Sequence, residues 1–236
     1  EATNDGWRLA TNSGIVFAKY VIAADGPASK LRRLLGEPLR LSSASSYAIH
    51  GTPKTSVSDC GLYFGNTVAP GGYAWIFSKG ASQFNVGVIS HRHINTRKWL
   101  DLFLYDKFTN YRKIAPRNGY LPQGGWDRTL FHRNIFFVGD AGGFVDPLFS
   151  GGISLALLSG RLAAEAINSN APDSYAEVAR NFPFRLSDLI HAADFFYQLP
   201  DDSLEKFAKF WKAPGGDSFE YEFFTRIWGA AKNIVW

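Results

Sequence analysis

The sequence predicts a mixed α/β (α+β) fold in which an incomplete parallel α/β domain is interrupted by an antiparallel sheet and followed by helices. Two short apolar runs, residues 20–24 and 134–138, lead into Asp25-Gly26 and into a glycine-rich loop that contains Asp140, as buried parallel strands do before a ligand-binding loop. The segment between them, from about residue 41 to 126, has the alternating, aromatic-rich pattern of antiparallel strands. The last part of the chain has the apolar spacing of helices.

Turn and boundary residues place the first elements. Asn12-Ser13-Gly14 separates two strand-like runs and predicts a β-hairpin. A buried parallel strand follows over residues 20–24, and a helix over residues 28–35, because Gly36 and Pro38 end it.

The middle segment is predicted to contain three antiparallel strands, at residues 62–65, 73–77 and 84–89. Residues 78–82 form the turn between the last two strands. Asn95 or Thr96 is expected to cap an amphipathic helix that runs to about Phe108. The prolines and glycines between residues 116 and 125 then mark the return to the first domain.

The order of these elements predicts that the chain is organised in three domains. Residues 1–40 and 127–168 form the incomplete, Rossmann-like domain, and residues 41–126 form the inserted sheet domain. Residues 169–236 form two or three C-terminal helices, broken near Pro200 and at residues 214–216.

Composition excludes several classes of protein. The chain has 236 residues and a formal net charge of +4, but no basic stripe that would favour nucleic acid. Cys60 is the only cysteine, which excludes intrachain disulfides and cysteine zinc sites and favours the cytoplasm. His91 and His93 have no third ligand nearby in sequence, so no metal site is expected and both are interpreted as exposed polar residues.

The chemically richest stretch is residues 134–153, which reads as strand, carboxylate, glycine loop and helix. Asp140 follows the strand, at the carboxyl edge where α/β sheets bind ligands, and its oxygens can accept hydrogen bonds from sugar-like hydroxyls. The helix over residues 153–167 presents free N–H groups at its start and is expected to be tightly buried. The glycines that let backbone approach a flat ligand are Gly142, Gly143, Gly151 and Gly152.

This stretch resembles the second flavin-binding motif of the p-hydroxybenzoate-hydroxylase-like flavoproteins. The resemblance implies that Asp140 binds the ribityl chain of FAD. It also implies that the loop from Pro147 to Gly152 and the helix start at Ile153 border the pyrophosphate and the flavin ring.

Residues 24–32 are similar to the Asp-Gly motif of the same family. That resemblance implies that Asp25, Gly26, Ser29 and Arg32 brace the FAD site. The alternative for Asp25 is a plain helix cap.

A third stretch resembles the substrate-domain signature of the geranylgeranyl reductases. It comprises residues 70–80 and 85–88, with Ser78 where that family usually has proline. Tyr73, Trp75 and Phe77 alternate and therefore share one face of a strand. The resemblance implies that this face lines an apolar substrate tunnel beside the flavin, and the alternative is that it is only the core face of the sheet.

Taken together, the resemblances imply an FAD-dependent oxidoreductase that reduces C=C bonds of an isoprenoid substrate by hydride transfer from reduced flavin. NAD(P)H or another donor would reduce the flavin, and no residue is identified as a catalytic acid or base. One alternative is a flavin-dependent monooxygenase or halogenase on the same fold. A second is a non-catalytic remnant that does not bind FAD alone.

Two expectations concern partners. The chain contains no Gly-x-Gly-x-x-Gly pattern, so we expect the FAD pyrophosphate site to come from an N-terminal segment or a partner chain, and the 236 residues alone to bind FAD poorly. The aromatic residues of the late helices are expected to close the substrate tunnel, rest on a membrane surface, or pack against the sheet domain.

Overall fold

The computed structural model describes residues 1–57, 59–123, 129–181 and 186–210. The strands are β1 Ala2–Thr3, β2 Gly6–Thr11, β3 Gly14–Ala18, β4 Val21–Ala23, β5 Leu41–Pro53, β6 Cys60–Phe64, β7 Gly72–Gly80, β8 Gln83–Ser90, β9 Phe108–Pro122, β10 Phe131–His132 and β11 Ile135–Phe137. The helices are α1 Lys30–Leu34, α2 Thr96–Lys107, α3 Gly139–Gly142, α4 Ile153–Asn168, α5 Ser174–Asn181, α6 Leu186–Gln198 and α7 Asp201–Phe210.

The chain packs as two compact units. Unit 1 contains residues 1–40 and 122–191, and unit 2 contains residues 41–121 and 192–236, so the division falls inside α6. The three predicted domains have different limits and stay a prediction.

Unit 1 is built on a small sheet of order β10-β11-β4, in which β11 and β4 run parallel as the sequence predicts. Phe136 and Val138 point to one side, into a core with Ala163 of α4 and Tyr175 of α5. The other side holds Ala23, Ile135 and Phe137, against which Leu31 and Leu35 from the α1 segment pack. The predicted hairpin is also present, because β2 and β3 pair antiparallel across residues 12 and 13.

One packing prediction for unit 1 is wrong. Helix α4 was expected to be tightly buried, but Ile153 is 83% exposed and Leu157 is 73% exposed. Strand β4 ends the sheet order, and Ile22 on it is 48% exposed. Helix α4 has apolar residues nearly all round, but within the described residues only the side carrying Ser159, Ala163 and Ala166 is covered.

Unit 2 is a five-stranded sheet of order β6-β7-β8-β5-β9. Its three predicted antiparallel strands are confirmed as β6, β7 and β8, and α2 begins after the Asn95 cap, whose side chain accepts a hydrogen bond from Lys98 N at 3.0 Å. One face forms the core with α2. Its buried members are Tyr47, Ile49, Ala69, Ala74, Ile76, Phe84, Val86, Val88, Leu100, Phe103, Leu104 and Phe108.

The sequence reasoning missed two long strands and misplaced a turn. Strand β5 was not predicted, because its serine-rich first half lacks the apolar alternation of a typical strand. Strand β9 was interpreted as a loop because it contains Pro116 and Gly119, but it lies at the sheet edge, where proline is tolerated. The predicted turn at residues 78–82 is shorter: β7 continues to Gly80, and the chain reverses at Ala81 and Ser82, which both have positive φ.

The C-terminal part contains α5, α6 and α7 within the described residues, with the predicted break at Pro200. The predicted break at residues 214–216 and the aromatic residues from Trp211 onward lie outside the described residues. In the described part of the chain, no helix is long and apolar enough to cross a membrane.

Candidate functional site

The predicted ligand-binding crevice is centred on Asp140, in the first turn of α3 directly after β11 and Val138. Burial raises the pKa of the Asp140 carboxyl above its ordinary value. A Cβ built on Gly152 would lie 3.5 Å from Asp140 Oδ1, so the carboxylate lies close to the start of α4. Within the described residues, the Asp140 side chain makes no hydrogen bond or ion pair. Its oxygens are therefore available to hydroxyl donors of a ligand.

The glycine loop, residues 143–152 between α3 and α4, begins at two glycines whose conformation or surroundings exclude a side chain. Gly143 ends α3 in the left-handed conformation, with φ of 77°, which favours glycine. A Cβ on Gly142 would approach the Phe144 ring to 2.5 Å and Phe137 O to 2.7 Å, so only glycine fits there without rearrangement. Gly151 has open space around it, and it and Ile153 are exposed at the start of α4.

A residue that the sequence reasoning missed, Asp146, closes this loop. Its Oδ1 accepts hydrogen bonds from Leu148 N at 2.7 Å and Phe149 N at 3.2 Å, and its own N–H donates to Gly151 O at 2.8 Å. Pro147 lies buried inside this turn. The sequence signal for this turn is the pair Asp146-Pro147, because an aspartate side chain in a turn commonly accepts hydrogen bonds from the backbone N–H groups two and three residues further on.

The start of α4 has no side-chain cap. Gly152 occupies the cap position and contributes no side-chain hydrogen bond, so no side chain at the cap satisfies the first N–H groups of this 16-residue helix. Ser159, also missed from sequence, fixes the helix against α3, because Gly139 N donates to its Oγ at 2.9 Å. This arrangement suits an electron-rich group at the helix start.

The Asp-Gly motif, residues 24–32, lies in the same unit, and its Asp25 and Arg32 have different contacts. Asp25 accepts hydrogen bonds from Lys30 N at 2.7 Å and Leu31 N at 3.4 Å, so it satisfies N–H groups at the start of α1, as its helix-cap alternative expects. Ser29 occupies the N-cap position itself, and its Oγ accepts from Arg32 N at 3.1 Å. Arg32 is only 1% exposed, and its Nε–H donates to Ala141 O, in α3. Its guanidinium also lies 4.5 Å from the Phe137 ring centre and 3.8 Å from Glu37 Oε2. Arg32 thus connects the motif to α3, which carries Asp140.

These residues fit a flavin dinucleotide. Asp140 offers unused carboxylate oxygens for the hydroxyls of a ribityl chain, and the open space at Gly151 allows close approach of a flat ring. The uncapped start of α4 complements a negatively charged or carbonyl-bearing edge.

The second predicted group, Tyr73, Trp75 and Phe77, forms a continuous surface on β7 that we call the aromatic face. Neighbouring ring centres are 6.1 Å apart for Tyr73 and Trp75 and 6.3 Å apart for Trp75 and Phe77. The core residues Ala74 and Ile76 alternate with them and point to the opposite side, toward α2. The aromatic face is therefore not the helix-covered core face of the sheet.

One end of the aromatic face is closed by α6, within unit 2. Phe196 packs edge-on against Phe64, with ring centres 5.2 Å apart, and Tyr197 lies 5.0 Å from the ring of His91. His91 was interpreted as an exposed polar residue, which is wrong: it is half-buried, and its Nδ1 lies 2.6 Å from Ser42 Oγ. Burial lowers its pKa to about 4. Among the described residues, no group of three possible metal ligands occurs.

Solved structures show which class of protein has this fold. A geranylgeranyl bacteriochlorophyll reductase-like protein from Thermoplasma acidophilum superposes with a TM-score of 0.79 at 27% identity, covering 93% of this chain and 61% of that one. A flavin-dependent halogenase, CmlS, shares the fold at 17% identity with a TM-score of 0.55, covering 87% of this chain and 45% of that one. The fold is therefore that of the reductase and halogenase flavoproteins.

Sequence relatives narrow the class to a family. Residues 42–119 match the geranylgeranyl reductase catalytic domain. A digeranylgeranylglycerophospholipid reductase of Methanosarcina acetivorans is 35% identical over 162 residues, covering 64% of this chain and 40% of the relative. Digeranylgeranylglycerophospholipid reductase 2 of Methanothermobacter thermautotrophicus is 36% identical over 193 residues, covering 71% of this chain and 49% of the relative. The chain is therefore similar to the geranylgeranyl reductases, and it spans about half the length of these curated relatives.

Proposed function

We propose that this chain is part of an FAD-dependent oxidoreductase that reduces C=C bonds in the isoprenoid chains of a lipid. The observation that carries the proposal is Asp140, a partly buried carboxylate with unused oxygens that lies close to the uncapped start of α4. The naming of its relatives as digeranylgeranylglycerophospholipid reductases supports the substrate class.

The residues of unit 1 have binding and orienting roles in this proposal. Asp140 accepts hydrogen bonds from ligand hydroxyls, and the start of α4 stabilises negative charge on the ligand. Arg32 anchors α3, which carries Asp140, and Asp146 holds the glycine loop in its conformation. When bound, FAD supplies the hydride chemistry, after reduction by NAD(P)H or another donor.

The aromatic face of unit 2 binds the apolar chain in this proposal. Tyr73 is buried, and Trp75 and Phe77 are half-buried, so the surface offers mainly ring faces, and the indole N–H of Trp75 is already satisfied by Asn85. Binding an isoprenoid there removes water from the chain and from the rings, and the hydrophobic effect stabilises the complex.

We further propose that a dinucleotide-binding unit, on the same native chain or on a partner, completes unit 1. The support is structural: β4 is the end strand of its sheet in the described part of the chain, and Ile22, Ile153 and Leu157 are strongly exposed. An added parallel strand beside β4 would pair this edge, and the rest of the added unit would supply apolar surface for these side chains.

The reaction is tested with the native gene product, dithionite as electron donor and a geranylgeranyl glycerolipid as substrate. We expect mass spectrometry to show that the lipid gains two hydrogen atoms for each double bond reduced, without oxygen being present. Products that form only with oxygen and contain oxygen or halogen would instead establish the monooxygenase or halogenase alternative. Loss of activity in an Asp140→Ala variant, with an unchanged Asp173→Ala control, would attribute the reduction to the crevice.

A further inference from the structure

We propose that Asn85 is a positioning residue that fixes the indole of Trp75 across the sheet and thereby sets the shape of the aromatic face for its isoprenoid chain. This inference rests on the proposed function for the nature of the ligand. The position of the indole is argued from unit 2 alone.

The first observation is a side-chain hydrogen bond between neighbouring strands. Trp75 Nε1–H donates to Asn85 Oδ1 at 2.6 Å. In the strand register, Trp75 is paired with Gly87, and Asn85 is paired with Phe77. The bond therefore runs diagonally from β7 to β8, which requires the indole to lie along the sheet and not to stand upright from it.

The second observation is the space above Gly87. A Cβ built on Gly87 would lie 2.1 Å from Trp75 Cζ2 and 2.4 Å from Cη2. The six-membered ring of the indole therefore rests directly on the backbone of β8, and a side chain at position 87 would displace it. The absence of a side chain at Gly87 and the hydrogen bond to Asn85 thus favour the same orientation of the Trp75 indole, each for its own reason.

The third observation is the asymmetry of the face around the indole. On the β6 side, the partners of Tyr73, Trp75 and Phe77 are Phe64, Leu62 and Cys60. Beyond β8, the residues of β5 in register with Ile89, Gly87 and Asn85 are the small residues Ala44, Ser46 and Ala48. The indole thus lies over the boundary between a bulky half and a shallow half of the face.

The orientation of Trp75 consequently determines how much of the shallow half is open to a ligand. With the indole held flat by Asn85, the ligand meets a ring face at this position. If the hydrogen bond is lost, the indole can turn about its side-chain torsions, and the shape of the face is no longer fixed. Chain-length selectivity should therefore depend on Asn85, although Asn85 itself is polar and need not touch the ligand.

The orientation is tested directly by NMR of the native gene product labelled with ¹⁵N. Trp75→Phe identifies the indole N–H signal of Trp75. We expect that signal to move and to exchange faster with water in Asn85→Leu, to stay near its original position in Asn85→Asp, and to be unchanged in the control Gln83→Ala, whose side chain is exposed on the same strand. An unchanged Trp75 signal in Asn85→Leu would overturn the positioning role, whatever the protein binds.

Selectivity is tested by equilibrium dialysis of geranylgeraniol and of the shorter farnesol with the oxidised protein, so that no turnover is required. Because one neutral hydrogen bond holds the indole in its binding orientation, its loss in Asn85→Leu predicts a weakening of geranylgeraniol binding by up to about five-fold. The ratio of the two affinities should move toward one. Asn85→Asp should retain wild-type selectivity, because its carboxylate still accepts from the indole.

If Asn85→Leu does not fold, Trp75→Phe replaces it as the test variant, because it removes the donor of the same hydrogen bond. Trp75→Phe should likewise move the ratio of the two affinities toward one. Wild-type selectivity in a folded Asn85→Leu or Trp75→Phe protein would overturn the inference. If the wild-type protein binds neither alcohol, the substrate class proposed above is wrong, while the NMR result still decides whether Asn85 positions Trp75.

Discussion

Replacing Arg32 by alanine is expected to lower the free energy of unfolding of the protein by about 3–5 kcal/mol. Arg32 is 1% exposed, donates to Ala141 O, and lies over the ring of Phe137. Its removal leaves a buried carbonyl without its donor and a void beside the sheet. Because the lost bond anchors α3, which carries Asp140, FAD binding should weaken as well.

The matched control is the adjacent Arg33, which is exposed. Arg33→Ala should change the free energy of unfolding by less than about 0.5 kcal/mol, as exposed substitutions usually do. Urea titration of the native gene product measures both variants. Equal, small effects of the two substitutions would show that Arg32 does not stabilise unit 1.

The second large effect expected is a loss of stability in mild acid that depends on His91. Burial lowers the folded-state pKa of His91 to about 4, below its ordinary value of 6.5. Between these pH values the unfolded chain takes up a proton that the folded chain does not, so stability decreases as the pH falls through this range. The full difference corresponds to about 3 kcal/mol, reached near pH 4.

The effect is measured as the free energy of unfolding at several pH values from 7.5 to below 4. A His91→Gln variant should have a flatter profile between about pH 6.5 and 4 than the wild-type protein. The exposed His93, two residues further on, provides the control, and His93→Gln should keep the wild-type profile. A His91→Gln profile parallel to that of the wild type would show that His91 is solvated in the folded protein.

The elements that could be predicted from sequence are those whose signals are local. Asn12-Ser13-Gly14 identifies a hairpin turn, Asn95 caps α2, and the alternation at Tyr73, Trp75 and Phe77 identifies a strand face. Each depends on neighbouring residues and on rules for turns, caps or strand period. The placement of Asp140 after a strand depends on the same kind of rule.

The elements that sequence reasoning missed depend on tertiary position. Pro116 is compatible with β9 only because that strand is at the edge of the sheet, which no local pattern indicates. The burial of His91 depends on Tyr197, which is more than a hundred residues away in the chain. Likewise, the contact of Trp75 with Gly87 requires the register of two strands.

The most direct test of the central claim, that the Asp140 crevice holds flavin, is an FAD titration followed by flavin fluorescence. The native gene product should bind FAD with 1:1 stoichiometry, and Asp140→Ala should weaken binding by about ten-fold or more, because hydrogen bonds to a carboxylate are lost. The 236-residue chain alone should bind FAD poorly. Wild-type affinity in the Asp140→Ala variant would contradict the assignment of the crevice, and a tight, stoichiometric complex with the 236-residue chain would contradict the need for a completing unit.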